Sequence, residues 1–110
     1  MKTHEQRLQE LLTKDNTHPK DMERKSMFYI LSGNDDLYSK VNHIYDFEEK
    51  IIKTECLEGE VDFSTSSRRL VKLAYNLYNQ HPADVSDIFY ALDKENAALA
   101  IEAIKLRFGI

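Results

Sequence analysis

Few residues in this chain interrupt regular secondary structure. Its 110 residues include only three glycines, at positions 33, 59 and 109, and two prolines, at positions 19 and 82. A fold of many short strands needs turn residues at regular intervals, roughly every 8–12 residues. This chain lacks them, and its long uninterrupted stretches are rich in Leu, Lys, Glu and Ala, which favour helices. The sequence therefore predicts an all-α fold.

The length of the chain indicates one domain, residues 1–110, with a modest hydrophobic core. No apolar run approaches the roughly 18 residues that a membrane-spanning helix needs. The single cysteine, Cys56, cannot form an internal disulfide, so nothing indicates an oxidising compartment. We therefore expect a cytoplasmic protein that does not enter a membrane.

Apolar periodicity and capping residues predict the helices. They are expected over about residues 4–14, 19–32, 34–45, 65–80, 83–91 and 94–108. Thr3 and Gln6 have the spacing of a capping box at the first helix. Gly33 is expected to end the second helix in a left-handed conformation. We expect a compact bundle of five or six helices.

Residues 46–63, DFEEKIIKTECLEGEVDF, do not follow the helical pattern. One interpretation is a small β-hairpin that turns around Gly59. The other is a helical turn followed by an irregular loop. Both make this segment an acidic excursion from the helical bundle.

The predicted helix over residues 94–108 is apolar on two nearly opposite sides. One side carries Ala97, Ala100, Ile101, Ile104 and Phe108, and the other carries Leu99, Ala103 and Leu106. A helix that is apolar on two sides is usually buried between neighbours. We expect it to be the central helix, or to lie half in the centre and half in an interface between two copies. Phe108 and Ile110 are expected to be exposed, which favours a homodimer.

The charged residues are unevenly distributed along a chain of net charge −4. Residues 34–62 contain nine acidic and three basic side chains, whereas residues 63–80 contain three basic side chains and no acidic one. The preferred interpretation is that the acidic segment and the basic helix neutralise each other in the fold. The alternative is two polar surfaces for two partners.

One face of the helix over residues 65–80 is a candidate binding surface. It is expected to be exposed and to carry Arg68, Arg69, Lys72, Tyr75, Asn76 and Asn79. Cations of this kind contact phosphates, and amides can read base edges, so weak nucleic-acid binding is one hypothesis. A pI near 5.5 and only three cations count against a nucleic-acid partner.

His43, Asp46 and Glu49 resemble a metal or acid/base site because imidazole and carboxylate groups are common ligands. On a helix, however, each three-residue step turns by about 300°, so the trio spreads around the surface. Cys56 lies between acidic residues that would raise the pKa of its thiol. We assign no catalytic residue, metal or cofactor. A small metal-assisted enzyme that uses His43 and nearby carboxylates is the alternative hypothesis.

The stretches KDNTHPKDMERKSMFYILSGNDDLYSKVNHIYDF and DFSTSSRRLVKLAYNLYN resemble a family of short bacterial proteins of unknown function. The resemblance implies a bacterial cytoplasmic protein, and it supplies no activity, cofactor or catalytic residue. From the residues themselves we expect a non-enzymatic binding or regulatory module. Its expected partner is a second copy, through the C-terminal helix, or another protein.

Overall fold

The computed structural model describes residues 1–110 and contains seven α-helices. They are α1 (His4–Asp15), α2 (Met22–Gly33), α3 (Asp35–Ser39), α4 (Val41–Ile44), α5 (Thr65–Asn79), α6 (Val85–Tyr90) and α7 (Lys94–Phe108). One short pair of strands and one 3-10 helix lie between α4 and α5. The prediction of an all-α bundle with a small excursion is confirmed.

Side chains cap the helices where the sequence predicts it. At α1, Thr3 Oγ1 accepts a hydrogen bond from the Gln6 amide at 3.1 Å, and Gln6 Oε1 accepts one from the Thr3 amide at 2.9 Å. This reciprocal pair satisfies two amides that the helix leaves unpaired. Helix α2 begins at Met22, later than the predicted residue 19, and the Asp21 side chain provides its cap.

Helix α2 is the centre of the bundle, and it packs against α1, α3, α5 and α7. Met27, Phe28, Ile30 and Leu31 are completely buried, so α2 has core neighbours around much of its circumference, whereas Tyr29 is half-buried. The prediction that the helix over residues 94–108 is central is wrong. Helix α7 buries mainly small residues against its neighbours, and several of its larger side chains stay at the surface.

Gly33 does not adopt a left-handed conformation, so its predicted role is wrong. It is the last residue of α2, and the following Asn34 is extended. A Cβ atom at Gly33 would lie 2.4 Å from Leu99 Cδ1 and 2.9 Å from His4 Nε2. Glycine at this position lets the Leu99 and His4 side chains approach the α2 backbone closely, and a larger residue would force the ends of these side chains to move.

The predicted helix over residues 34–45 is divided into α3 and α4. The backbone leaves the helical conformation at Lys40, with φ −108° and ψ 14°. The Lys40 ammonium forms an ion pair with Asp36 at 2.7 Å and also donates to the Asp62 carbonyl oxygen. These contacts attach the break between the two helices to the loop that precedes α5.

The excursion contains a hairpin, but not at Gly59. Strands β1 (Tyr45–Asp46) and β2 (Ile51–Ile52) pair in antiparallel fashion around a four-residue turn. Lys50 in that turn has a positive φ of 57°. The 3-10 helix Thr54–Glu58 follows, and Gly59 ends it with φ 94°. Both interpretations of this segment were thus partly correct: a hairpin forms first, and a helical turn with an irregular loop follows it.

Candidate functional site

The predicted basic face of α5 is largely engaged in contacts within the chain. Arg68 Nη1 donates to the Leu57 carbonyl oxygen at 2.9 Å. Arg69 Nε lies 3.1 Å from Asp87 Oδ2 and so links α5 to α6. Lys72 is half-buried and forms no ion pair. Two of the three cations therefore have structural partners.

Asn76 and Asn79 fix the loop that follows α5. Asn76 Nδ2 donates to the His81 carbonyl oxygen at 2.9 Å, and Asn79 Oδ1 accepts from the His81 amide at 3.2 Å. These amide side chains form turn contacts, which is common for Asn near a helix end. A role of the α5 face in nucleic-acid binding stays a prediction.

Tyr75 is completely buried, so the prediction that it belongs to the exposed face is wrong. Its hydroxyl donates to the Ile44 carbonyl oxygen at 2.7 Å and lies 3.2 Å from Cys56 Sγ. The segment from α4 to the 3-10 helix covers this side of α5. Helix α5 consequently has two buried sides, whereas its sequence shows only one clear apolar stripe.

The acidic segment is not neutralised by α5, contrary to the preferred interpretation. Asp35 pairs with Arg7 at 2.6 Å, and Asp36 pairs with Lys40, a base of the segment itself. Seven carboxylates of the segment form no ion pair: Asp46, Glu48, Glu49, Glu55, Glu58, Glu60 and Asp62. Ion pairs therefore engage only two of the nine acidic side chains of this segment.

The suspected metal trio does not converge. His43 is exposed, and Asp46 Oδ1 accepts the backbone amides of Glu48 and Glu49 at 2.9 and 3.0 Å, which makes it a turn cap. No group of three His, Cys, Asp or Glu side chains in residues 1–110 is placed to hold a metal ion. The geometry therefore gives no support to the interpretation of this stretch as a metal site.

Cys56 is buried beneath a cleft that His43 also lines. Burial is the main cause that raises the pKa of its thiol, and the nearby Glu55 carboxylate adds to the effect. A thiol that stays protonated is a poor nucleophile. Cys56 is therefore a core residue rather than a reactive one.

The outer side of α7 carries exposed apolar side chains. Ile101 and Phe108, seven residues apart, are 43% and 61% exposed, and Ile110 is 81% exposed. The prediction that Phe108 and Ile110 lie at the surface is confirmed. Because Ile101 and Phe108 share one helix face, this side of α7 is a candidate interaction surface.

A cleft of about 500 Å³ lies between the end of α7 and α2. Its apolar lining comes from Met22, Tyr29, Leu106 and Ile110, and Gly109, Glu102 and Lys105 complete it. Glu102 and Lys105 are 3.5 Å apart and exposed, so their ion pair contributes little to stability. The cleft and the exposed Ile101 and Phe108 lie on different sides of α7 and are two candidate docking features.

Residues 1–110 match the family of unknown function DUF6075. The chain belongs to this family. No curated protein and no solved structure matches it. None of its helices has the length and apolar character that crossing a membrane requires. The family assignment agrees with the resemblance seen in the sequence, and it brings no activity to assign to a residue.

Sequence reasoning missed a buried polar network near the start of α2. The Tyr45 hydroxyl donates to Asp15 Oδ1 at 2.6 Å, and Thr17 Oγ1 donates to Asp15 Oδ2 at 2.5 Å. Arg24 Nε donates to the Tyr45 oxygen at 3.2 Å and lies 3.7 Å from Asp15. Burial raises the pKa of the Tyr45 phenol. Each carboxylate oxygen has a partner, so this network joins α1, α2 and the hairpin and offers no free group to a ligand.

Proposed function

We propose that this protein is a non-enzymatic binding module that forms a homodimer through the outer face of α7. The observation that carries the proposal is the exposure of Ile101 and Phe108 on the same side of that helix. Successive α-helical residues are about 100° apart, so residues seven apart point within about 20° of each other. Two large apolar side chains thus form one stripe, which a second copy would cover.

The chemistry of the chain supports binding more than catalysis. The two buried polar clusters, around Asp15 and around Tyr75, use their polar atoms for contacts within the chain. The metal-assisted alternative would need at least three ligands around His43. Glu55 and Glu60 line the same cleft as His43, but no group of three such side chains is placed to hold a metal ion. The nucleic-acid alternative keeps Lys72 as the one cation of the basic face that has neither an ion pair nor a side-chain hydrogen bond.

The proposed dimer is weak. One helix face buries less area than a standard interface of about 1,600 Å². Association also costs translational and rotational freedom, which only a surplus of contact energy offsets. We therefore expect a dissociation constant of about 10–100 µM.

Light scattering after size-exclusion chromatography tests the proposal at several loading concentrations. The wild type should shift from monomer toward dimer as the concentration rises. Ile101→Glu should stay monomeric, because it places a charge in the apolar stripe. Ile51→Glu is the matched control, since Ile51 is an apolar side chain on the hairpin with 54% exposure. If Ile51→Glu abolishes association and Ile101→Glu does not, α7 is not the interface.

The proposal includes a reducing, cytoplasmic setting in a bacterium. The free thiol of Cys56 supports that setting, because cysteines persist unpaired where the compartment keeps thiols reduced. The sequence resemblance to short bacterial proteins supports the source.

A further inference from the structure

We infer that residues 46–62 form a cover over one side of α5, and that this cover opens at low ionic strength while the helices stay folded. The cover comprises the hairpin after Tyr45, the 3-10 helix and the loop that precedes Phe63. Opening exposes the side of α5 on which the Tyr75 hydroxyl lies. The inference does not depend on the proposed dimer, because the cover and the outer face of α7 share no element.

The cover is anchored in the core mainly at its two ends. Tyr45 and Phe63, which flank it, are both buried. Between them, Cys56 is the one fully buried side chain. The other apolar side chains of the cover are only partly buried or exposed: Phe47, Ile51, Ile52, Leu57 and Val61. A segment with so few buried apolar groups opens at a lower free-energy cost than the whole molecule.

Cations of the helical part attach the cover by its main chain and not by its carboxylates. The bonds to carbonyl oxygens run from Arg24 to Lys50, from Arg68 to Leu57 and from Lys40 to Asp62. Two of these cations already pair with carboxylates outside the cover, Arg24 with Asp21 at 3.0 Å and Lys40 with Asp36 at 2.7 Å. The three bonds therefore leave most of the negative charge of the cover uncompensated.

The cover carries a net charge of −5, from seven carboxylates and two lysines. None of these carboxylates forms an ion pair. Exposed like charges repel one another over about 10 Å at an ionic strength of about 0.1 M, and over about 30 Å at about 0.01 M. Lower ionic strength thus strengthens the repulsion within the closed cover, and opening relieves it because the charges move apart.

Cys56 reports the opening, because it is the only thiol of the chain and is buried while the cover is closed. The test measures its alkylation by iodoacetamide, an uncharged reagent, at about 1 µM protein, where the proposed dimer is dissociated. Each rate is divided by the rate of the urea-unfolded chain at the same ionic strength, which removes the effect of salt on the thiol itself. We expect this ratio to be roughly five-fold higher at about 0.01 M than at about 0.2 M ionic strength, with unchanged helical circular dichroism.

Two double variants separate the charge of the cover from the charge of the whole chain. Glu48→Gln/Glu49→Gln lowers the net charge of the cover from −5 to −3. Because repulsion grows with the product of the charges, this variant should lose more than half of the dependence of the ratio on ionic strength. Glu5→Gln/Glu102→Gln is the matched control, since it removes two exposed carboxylates from α1 and α7. The control should keep the dependence of the wild type.

Three results would overturn the inference. If the ratio does not change with ionic strength, repulsion does not open the cover. If the alkylation rate depends on urea as steeply as global unfolding does, Cys56 is reached only when the whole chain unfolds. If the control loses the dependence as fully as Glu48→Gln/Glu49→Gln, the effect belongs to the total charge and not to the cover. The proposed dimer is unaffected by each of these results, because its own test is the mass of the protein in solution.

Discussion

At the scale of single residues, the Tyr75 hydroxyl joins α5 to the segment that covers it. We expect Tyr75→Phe to lower the free energy of unfolding by about 1–2 kcal/mol, because the Ile44 carbonyl oxygen loses its buried donor. Urea denaturation measures the change. Tyr90→Phe is the matched control, since Tyr90 is 95% exposed, and it should change stability by less than about 0.5 kcal/mol. Equal effects of the two substitutions would contradict this role of Tyr75.

For Gly33, the direction of the change in stability on substitution by alanine tests the close packing at this position. In an open helix, replacement of glycine by alanine stabilises by roughly 0.5–1 kcal/mol. At Gly33 the new methyl group would meet Leu99 and His4, so we expect Gly33→Ala to destabilise by about 1–3 kcal/mol. Thermal or urea unfolding provides the measurement. A gain in stability would show that α1 and α7 do not approach this position closely.

The roles of Tyr75 and Gly33 could not be predicted from the sequence, and the physical reason is the same for both. Both depend on what a distant segment places beside them: residues 44–56 beside Tyr75, and α1 and α7 beside Gly33. By contrast, the capping box of Thr3 and Gln6 spans three residues and could be predicted, because both partners are local.

At the scale of elements, Gln80 ends α5 in a left-handed conformation with φ 66°. A side chain in this conformation costs roughly 1 kcal/mol, and glycine avoids the cost. We therefore expect Gln80→Gly to stabilise the protein by about 0.5–1 kcal/mol in urea unfolding. Gln9→Gly, in the interior of α1, is the opposite control and should destabilise by a similar amount. Loss of stability in Gln80→Gly would contradict the assigned helix end.

An element could be predicted from the sequence when its capping residues and apolar periodicity lie within or next to the element itself. Helices α1, α5 and α7 have caps and apolar periodicity within their own residues, and the sequence located them closely. The hairpin depends on the pairing of β1 with β2 and on a turn with no glycine, so its position was missed. The central position of α2 is a property of packing. Apolar periodicity alone cannot show whether α2 or α7 is the more central helix.

At the scale of the whole molecule, two buried phenols make stability depend on alkaline pH. Burial is the main cause that raises the pKa of Tyr45 and of Tyr75, and hydrogen bonds from each phenol to its neighbours contribute. In the unfolded chain a tyrosine ionises near pH 10. Because the folded state keeps both phenols neutral, their contribution is complete below about pH 10 and is lost as pH rises above it.

We therefore expect part of the phenolate absorbance at 295 nm to appear together with the loss of helical circular dichroism. Tyr45→Phe should remove part of the phenolate absorbance that appears together with unfolding. If all six tyrosines ionise before the helical signal changes, the phenols are not buried as described.

The candidate site was only partly visible in the sequence. The sequence indicated an exposed Phe108 and an apolar second side of its helix, because both follow from spacing within α7. The cleft was missed, since Met22 and Tyr29 come from α2 and meet α7 only after the bundle has formed. A cleft lined by residues of two helices cannot be recognised from the sequence pattern of either helix alone.

Sedimentation equilibrium of the wild type tests the central claim, that a second copy covers the outer face of α7. We expect the average mass to rise from the monomer value of 12.9 kDa toward twice that value as the concentration increases through about 10–100 µM. The rise should fit a monomer–dimer equilibrium and should disappear in Ile101→Glu. A mass that stays at 12.9 kDa throughout a series reaching about 0.5 mM would contradict the account.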